Sequence, residues 1–359
     1  MREAKVHRIP TKGPDDVSGL VSAIARGAMA PEGIVAILGK TEGNGCVNDF
    51  TRAFAVQALK AELSNHLPRA AVDDIAYVMS GGTEGALSPH ILVLERTAGP
   101  AVDDGPSLAI GRALTAPLAP EDLGRLAQVR LVADGVRKAM ADAGITEMSD
   151  VHFVQIKCPL LTSERVQRAE AEGHTTATRD TLKSMGLSRG ASALGVALAL
   201  GELSLSDIDE SHIGRDMSLW SSRASTSAGV ELENHEIVVL GMSSGWSGPL
   251  AVDHAVMADA IDVAPVKATL ERLGLGKDTA SLVALLAKAE PGTSGRLRGS
   301  RHTMLDDSDI SATRHARAFV GGVLAGLVGT TEIFVSGGAE HQGPDGGGPV
   351  AIIARRNGG

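Results

Sequence analysis

The chain has 359 residues, of which 43% are hydrophobic but only 2% aromatic, and its formal net charge is −9. This length accommodates two or three domains, and a core of Ala, Val, Leu and Ile suits helices packed on sheets, so we expect the α/β class. The acidic charge and the scarcity of aromatic rings argue against nucleic acid as a partner.

The two cysteines, Cys46 and Cys158, lie far apart without a zinc-type spacing and predict free thiols in a reducing compartment. The N-terminus carries no apolar signal segment, and the longest apolar helical stretch, residues 318–328, is about half a membrane span. We therefore expect a cytoplasmic protein without a membrane partner.

A short pattern, Ser-small-Gly-any-Glu, occurs three times and follows each time an apolar, strand-like run that ends in lysine. The runs cover residues 35–40, 151–157 and 282–288 and end in Lys40, Lys157 and Lys288, and the turns begin at Ser80, Ser227 and Ser336. Three Ser/Lys pairs predict one site built from three similar units, which suits a ligand with several equivalent edges.

Two further elements recur in the same order. A helix of small residues between lysine and serine carries Arg52, Arg189 and, in the third copy, Arg317 or Arg314; the shared Arg-Ala-Phe string favours Arg317. After each turn a proline introduces an apolar strand, at residues 89–94, 249–252 and 349–354. We predict an internal repeat with units at residues 1–104, 105–252 and 253–359. The first boundary lies in a stretch rich in Gly and Pro, and the second lies close to a segment without a clear helical or strand pattern.

Helical periodicity is clearest over residues 123–143 and 309–328, with Ser308 as a candidate N-cap of the second helix. Strands are short and rich in Val and Ile. Each unit is expected to be a small sheet with helices on one face, an α+β arrangement.

The paired residue types indicate acyl-transfer chemistry. A serine on a tight turn presents its hydroxyl where the following backbone N–H groups can stabilise an oxyanion. A lysine that ends an apolar run is partly desolvated, which lowers its pKa and favours the neutral base. Arginines supply planar donors for carbonyl oxygens or an anionic ring. Each feature alone suits a plain turn, a snorkelling lysine or an exposed helix residue, but the threefold recurrence favours a catalytic site.

Other motifs are weaker. The glycine-rich loop at 337–349 offers carbonyl oxygens that, with Glu290 or Glu340, suit Mg²⁺ or Ca²⁺, although a plain flexible loop explains it equally. Ser243 matches the sequence motif of a nucleophile elbow but lacks the downstream glutamate of the three repeated turns. Residues 39–41 resemble the end of a phosphate-binding loop but lack its upstream glycine. The histidines show neither HxH nor HExxH spacing, so a zinc hydrolase centre is not indicated.

Five strings, at residues 40–49, 79–85, 155–160, 188–195 and 335–344, resemble the cyanuric acid hydrolase and barbiturase amidohydrolases, and the resemblance covers essentially the whole chain. It implies three similar α/β units in a pseudo-threefold arrangement around one central site. It also implies hydrolytic opening of the s-triazine ring of cyanuric acid to carboxybiuret, which loses CO₂ to give biuret. Barbiturase activity on a pyrimidine ring and non-catalytic binding of ring imides are the alternatives.

The resemblance also implies roles for individual residues. Ser227 would be the nucleophile and Lys157 its base, with Lys40 and Lys288 as supporting lysines. The substrate would be held by Arg52, Ser80, Gly81, Arg189, Ser227, Ala228, Arg317, Ser336 and Gly337, and Arg314 would tune which ring is accepted. A structural Mg²⁺ or Ca²⁺ would be held, mostly through backbone oxygens, by Glu290, Ala339, Gln342, Gly343, Pro344 and Gly347. We expect no organic cofactor, and a homotetramer.

The residues themselves do not select one dyad among the three. The second copy is set apart by Ala228 in its turn and by the polar, serine-rich approach at residues 221–226.

Overall fold

The computed structural model describes residues 1–100, 105–276 and 278–356. Within these ranges the strands form three main sheets that share one topology. The first sheet holds β1 (Arg2–Pro10), β2 (Ile34–Thr41), β3 (Ala76–Gly81) and β4 (His90–Ala98); the second holds β5 (Ser107–Leu114), β6 (Val151–Pro159), β7 (Ala224–Gly229) and β8 (Glu236–Ser243). After the short β9 (Trp246–Ser247), the third holds β10 (Leu250–Met257), β11 (Leu282–Ala289), β14 (Phe334–Gly337) and β15 (Gly348–Arg355), with the hairpin β12 (Arg296–Leu297) and β13 (Ser300–Arg301) outside it.

The strand order is the same in each unit. In the first unit it is β3-β2-β4-β1, in the second β7-β6-β8-β5 and in the third β14-β11-β15-β10. The two strands that carry the lysine and the serine run parallel, and the last strand of the unit pairs antiparallel with the lysine strand and with the first strand. The predicted α/β class and threefold repeat are confirmed.

Helices connect these strands in every unit. The α-helices are α1 (Ser18–Ala25), α2 (Phe50–Leu63), α3 (Arg69–Asp73), α4 (Leu126–Ala143), α5 (Ser163–Ala171), α6 (Thr181–Ala199), α7 (Ala264–Arg272) and α8 (Ala312–Val328). Short 3₁₀ turns cover Pro31–Gly33, Pro120–Asp122, Met148–Asp150, Leu205–Asp207 and Glu210–His212. No helix in the described ranges has the length and apolar content needed to cross a membrane. Cys46 and Cys158 are free thiols, as predicted.

The two predicted helices begin later than expected. Helix α4 begins at Leu126, because the 3₁₀ turn Pro120–Asp122 precedes it. Helix α8 begins at Ala312, so the prediction of Ser308 as its N-cap is wrong and Ser311 occupies that position. The Asp307 carboxylate accepts the backbone N–H groups of Asp309 and Ile310, and this local turn competes with the helix.

One predicted strand equivalence is wrong. The apolar run at 249–252 does not close the second unit, because β10 pairs with β15 in the third sheet. The strand that closes the second unit is β8, which lacks the leading proline of its counterparts. The predicted boundary between residues 252 and 253 falls inside β10, and sheet membership changes between Ser243 and Leu250. The boundary at 104/105 adjoins residues 101–104, which lie outside the described residues.

Buried strands position the centre of the molecule. Every residue of β2, β3 and β7 is buried, as expected for strands covered on both faces. The largest hydrophobic cluster contains residues from all three units, among them Leu38, Ile156 and Leu286 on the lysine strands. The units therefore share one continuous core, and the ends of their parallel strand pairs meet within it.

Candidate active site

Sheet register places each predicted lysine beside its serine. Lys40 is paired with Ser80 across β2 and β3, Lys157 with Ser227 across β6 and β7, and Lys288 with Ser336 across β11 and β14. Residues directly paired on neighbouring strands project to the same face of a sheet. The same parallel pairing of two strands thus forms each of the three Ser/Lys pairs that the spacing predicts.

The three serines converge on one cavity. Ser80 Oγ and Ser227 Oγ lie 3.3 and 3.4 Å from Ser336 Oγ. The cavity is lined by the following residues from all three units: Gly45, Arg52, Ser80, Gly81, Met185, Arg189, Ser227, Ala228, Arg317, Ser336 and Gly337. Every residue predicted to hold the substrate is in this set.

The lysine ammonium groups link the units in a cycle. Lys40 donates to the carbonyl of Val335 at 2.8 Å, Lys157 to that of Met79 at 2.7 Å and Lys288 to that of Thr226 at 2.9 Å. Each acceptor is the residue before the serine of another unit. The lysines therefore fix the strand ends that carry the serines and are themselves held at the centre.

Arginines and turn glutamates of different units bind each other in two of the three copies. Arg317 binds Glu84 of the first unit through two hydrogen bonds of 2.8 and 2.6 Å, and Arg189 binds Glu340 of the third unit in the same bidentate manner, at 2.8 and 2.6 Å. Gly82 and Gly338 allow this approach, because a Cβ on either would lie within 2.5 Å of the guanidinium. Both glycines also have positive φ, 109° and 74°.

The second copy departs from this arrangement. Glu231 forms an ion pair with Lys157 of its own unit at 2.9 Å. Arg52, the counterpart of Arg317 and Arg189, donates instead to the carbonyls of Ala228 and Cys46, at 3.1 and 2.7 Å. A Cβ on Gly229 would meet the Glu231 carboxylate at 2.2 Å, where the other two turns receive an arginine.

The lysines also differ in their contacts with serine. Lys40 Nζ lies 3.3 Å from Ser80 Oγ and Lys288 Nζ lies 3.2 Å from Ser336 Oγ, both as hydrogen bonds. Lys157, whose carboxylate partner is Glu231, makes no such bond with Ser227 among the described contacts.

Burial governs the charge state of all three lysines. It lowers the pKa of Lys40 well below its ordinary value with help from Arg317, and it lowers the pKa of Lys288 to about 7 with help from Arg189. Burial also lowers the pKa of Lys157, but there Glu231 opposes the effect while Arg52 adds to it. Burial raises the pKa of Glu231, yet Lys157 and Arg52 outweigh it, so the net pKa lies below the ordinary value and the carboxylate is ionised.

A wider vestibule adjoins the central cavity. It shares Arg189, Arg317 and Gly337 with the cavity, and Arg314 lies on its wall rather than in the centre. Arg314 Nε donates to Glu84 at 3.0 Å, and 42% of its side chain is exposed. Arg314 thus stands at the approach to the site, and Arg317 is the inner arginine that the Arg-Ala-Phe string favours.

The predicted cation ligands gather beside the third unit. Glu290, Ala339, Gly343 and Pro344 line one cavity, whereas Gly347 is outside that lining. The Gln342 side chain is already engaged, accepting from Thr226 N at 2.7 Å and donating to Gly338 O at 3.0 Å, so only its backbone carbonyl is available as a ligand. Burial and the neighbouring Glu340 raise the pKa of Glu290, a carboxyl whose ionised form a bound cation would stabilise. The donor set therefore fits a hard cation.

The sequence showed a glutamate in each of the three turns but suggested a function only for Glu340, as a candidate cation ligand. The structure makes them the partners of the site cations, Glu84 and Glu340 on arginines and Glu231 on lysine. Their place at the fifth position of every copy is the signal that pointed to them. Met185, which also lines the cavity, carries no such signal.

The fold and the site define a protein of three matched α/β units that enclose a central cavity lined by three serines, each paired in register with a buried lysine. A family model described as amidohydrolase ring-opening protein matches residues 5–355. The chain belongs to this family, which confirms the resemblance, and it is a hydrolase acting on cyclic amides.

Similar proteins match over their full lengths. The chain is 68% identical over 353 residues to a cyanuric acid amidohydrolase of Azorhizobium caulinodans, covering 98% of both chains, and 62% identical over 370 residues to one of a Bradyrhizobium species, covering 99% of both. The crystal structure of the A. caulinodans hydrolase has a TM-score of 0.95 at 67% identity over 100% of both chains. A second solved cyanuric acid hydrolase, described as an innovation by structural concatenation, has a TM-score of 0.96 at 49% identity over 99% of this chain and 100% of the other.

Proposed function

We propose that the chain opens the ring of cyanuric acid to carboxybiuret, with Ser227 as nucleophile and Lys157 as base. The observation that carries this proposal is the convergence of three serines and three arginines on one cavity, with a buried lysine beside each serine. The relatives named cyanuric acid amidohydrolase support the choice of substrate.

Recognition follows from the cyclic arrangement. Cyanuric acid has three equivalent carbonyls, and the cavity presents a serine and an arginine from each unit. Lys40 and Lys288 donate to Ser80 and Ser336, and Ser80 in turn donates to Ser336. In the complex with the ring, both hydroxyls would direct their hydrogens to ring carbonyls instead. The guanidinium groups supply further hydrogen-bond donors for the ring oxygens.

The chemical step uses the second pair. Ser227 Oγ forms a bond to a ring carbonyl carbon while its proton passes to the neutral amine of Lys157. The oxyanion faces the backbone N–H groups of the Ser227 turn. The ring C–N bond then breaks and its nitrogen takes the proton from Lys157. Water, deprotonated by the same amine, releases carboxybiuret and restores Ser227; loss of CO₂ from the product gives biuret.

Glu231 is our reason for choosing the second pair. When Lys157 takes the serine proton it becomes an ammonium inside a buried site, and the Glu231 carboxylate at 2.9 Å stabilises that charge. An ammonium on Lys40 or Lys288 would instead lie near Arg317 or Arg189. The nearby carboxylates of Glu84 and Glu340 are already bound to these guanidinium groups. Glu231 thus has the same relation to its base as the third member of a Ser-His-Asp triad.

The test compares three serine variants and one lysine variant in a biuret-release assay. We expect Ser227→Ala and Lys157→Ala to lower kcat by orders of magnitude with unchanged circular dichroism. Ser80→Ala and Ser336→Ala are the matched controls, because each removes a hydroxyl from the same cavity; they should act mainly on KM. Loss of activity in a control together with retention in Ser227→Ala would refute the assignment.

Substrate choice is tested by offering cyanuric acid and barbituric acid to the same preparation. Preferential turnover of barbituric acid would replace the proposed substrate with a pyrimidine ring while leaving the Ser/Lys chemistry intact.

We also propose a structural Mg²⁺ or Ca²⁺ at Glu290, supported by the donor set described above. The ion would supply charge compensation for the buried carboxylate and order the loop that follows the third serine. The homotetramer and the cytoplasmic location stay predictions drawn from the resemblance and from composition.

A further inference from the structure

A cluster of two histidines and an aspartate lies away from the central cavity. His152 is near the start of β6, and Asp253 and His254 are on β10, so the cluster joins the second and third units. His152 precedes Lys157 by five residues, which corresponds to about 16 Å along a strand. The cluster shares no residue with the cavity lining or with the Glu290 region.

The donor atoms of the cluster face one another. His152 Nδ1 lies 3.0 Å from His254 Nδ1 and 3.4 Å from Asp253 Oδ1, and one donor atom from each residue fits within 4.8 Å of the others. In a tetrahedral zinc site with metal–ligand bonds of 2.0–2.1 Å, ligand atoms are separated by about 3.3 Å. The two measured separations lie on either side of that value.

Surrounding contacts orient the carboxylate as they do in known metal sites. Arg272 Nε donates to Asp253 Oδ2 at 2.6 Å, and the backbone N–H of His254 donates to Oδ1 at 2.7 Å. Such outer contacts fix the rotamer of a ligating carboxylate. The other nearby cation, Arg223, donates to the carbonyl of Met148 at 2.7 Å and lies 3.9 Å from Glu202, so its charge is partly compensated elsewhere.

We propose that His152, Asp253 and His254 bind a divalent transition-metal ion of the Zn²⁺ class, with water as the fourth ligand. Two imidazole nitrogens and one carboxylate oxygen suit a borderline ion better than Mg²⁺ or Ca²⁺. Both rings then act as acceptors toward the metal. Without a metal ion in this cluster, one imidazole ring would have to donate a hydrogen to the other.

The role that follows is structural. The ion would link β10, the edge strand of the third unit, to β6, the lysine strand of the second unit. It would do so at the end of β6 remote from the catalytic lysine. Binding to the folded state alone raises the melting temperature by mass action. We therefore expect Zn²⁺ to stabilise the fold, with chemistry left to the central cavity.

Cobalt substitution tests the proposal directly. The whole purified protein is freed of metal with a chelator and titrated with Co²⁺, whose visible d–d absorption reports a four-coordinate site, and then with Zn²⁺ against a chelating dye. We expect one equivalent of Co²⁺ to give the absorption band, Zn²⁺ to displace it, and Zn²⁺ to raise the melting temperature. His152→Ala and His254→Ala should each lower the Zn²⁺ affinity at least tenfold.

Two matched controls separate this site from other metal binding. His174→Ala removes an exposed histidine beside Glu121, and Glu290→Gln alters the proposed hard-cation site; both should retain the cobalt band. Absence of stoichiometric Co²⁺ and Zn²⁺ binding by the unmodified protein would overturn the proposal without any variant. A band that survives in both His152→Ala and His254→Ala would overturn it equally.

Discussion

Replacing Glu231 by glutamine separates the second Ser/Lys pair from the other two. The substitution keeps the shape of the side chain and removes the charge that lies 2.9 Å from Lys157 Nζ. At that distance, and with an effective dielectric constant of about 20, the attraction between the two charges is about 6 kcal/mol. Part of this is offset by the cost of burying the carboxylate, so the net effect is expected to be smaller.

Two linked changes are expected in the Glu231→Gln enzyme. The ammonium that forms when Lys157 takes the serine proton loses its partner, so kcat should fall by about tenfold or more, equivalent to at least 1.4 kcal/mol of the available attraction. Glu231 also opposes the lowering of the Lys157 pKa by burial, so its removal makes the neutral amine available at lower pH. The acidic limb of the kcat/KM profile should therefore move to lower pH.

Glu84→Gln is the matched control, because Glu84 occupies the same place in the first turn and is bound by Arg317. If Lys157 is the catalytic base, this variant leaves the acidic limb where it is, although KM rises as Arg317 loses its anchor. The measurement is the initial rate of cyanuric acid consumption from pH 5 to 10 for both variants. An unshifted limb in Glu231→Gln, or a limb that shifts only in Glu84→Gln, would refute the reasoning.

Three further predictions concern stability, selectivity and the cation. Burial raises the pKa of Glu236 from 4.5 to about 7, although its carboxylate accepts the backbone N–H of Tyr77. The folded protein therefore loses stability as the pH rises toward and through 7. In denaturant unfolding, Glu236→Gln should be more stable than the parent at pH 8, by up to roughly 3 kcal/mol, but not at pH 4. Arg314→Ala should change the free energy of unfolding by less than about 1 kcal/mol, because the pair with Glu84 is half-exposed, yet change the ratio of kcat/KM for cyanuric and barbituric acid. Chelation should lower the melting temperature, and Mg²⁺ or Ca²⁺ should restore it in the parent but not in Glu290→Gln.

The Ser/Lys pairs could be predicted from sequence because strand register is a local consequence of pattern. An apolar run that ends in lysine and a turn that begins with serine become neighbours once their strands pair in parallel, as Lys288 and Ser336 do. The serine-rich segment before Ser227 gave no apolar strand signal, yet its last three residues begin the fully buried β7, because their neighbours in the core determine their conformation.

The last strand of the second unit could not be predicted from the same pattern. The proline signature that marks the closing strand in the other units is missing before β8 and appears instead before β10, the opening strand of the third unit. The pairings between arginine and glutamate were also inaccessible. Arg189 and Glu340 are 151 positions apart, and only the packing of the units brings them together.

Symmetry and chemistry place opposite demands on this cavity. A ring with three equivalent carbonyls is best held by three equivalent walls, but opening the ring requires one wall to take a proton that the others do not. The repeated turn meets both demands through its glutamate. Where Glu84 and Glu340 bind an arginine, their lysines donate to serines. Where Glu231 reaches its own lysine, it would be a partner for the charge that the proposed mechanism places on that lysine. The difference is accompanied by a change in backbone, since Gly82 and Gly338 have positive φ while the equivalent Gly229 ends an extended strand. In the proposed mechanism, this difference in turn conformation separates the second unit, which supplies the base, from the first and third units, which bind the ring.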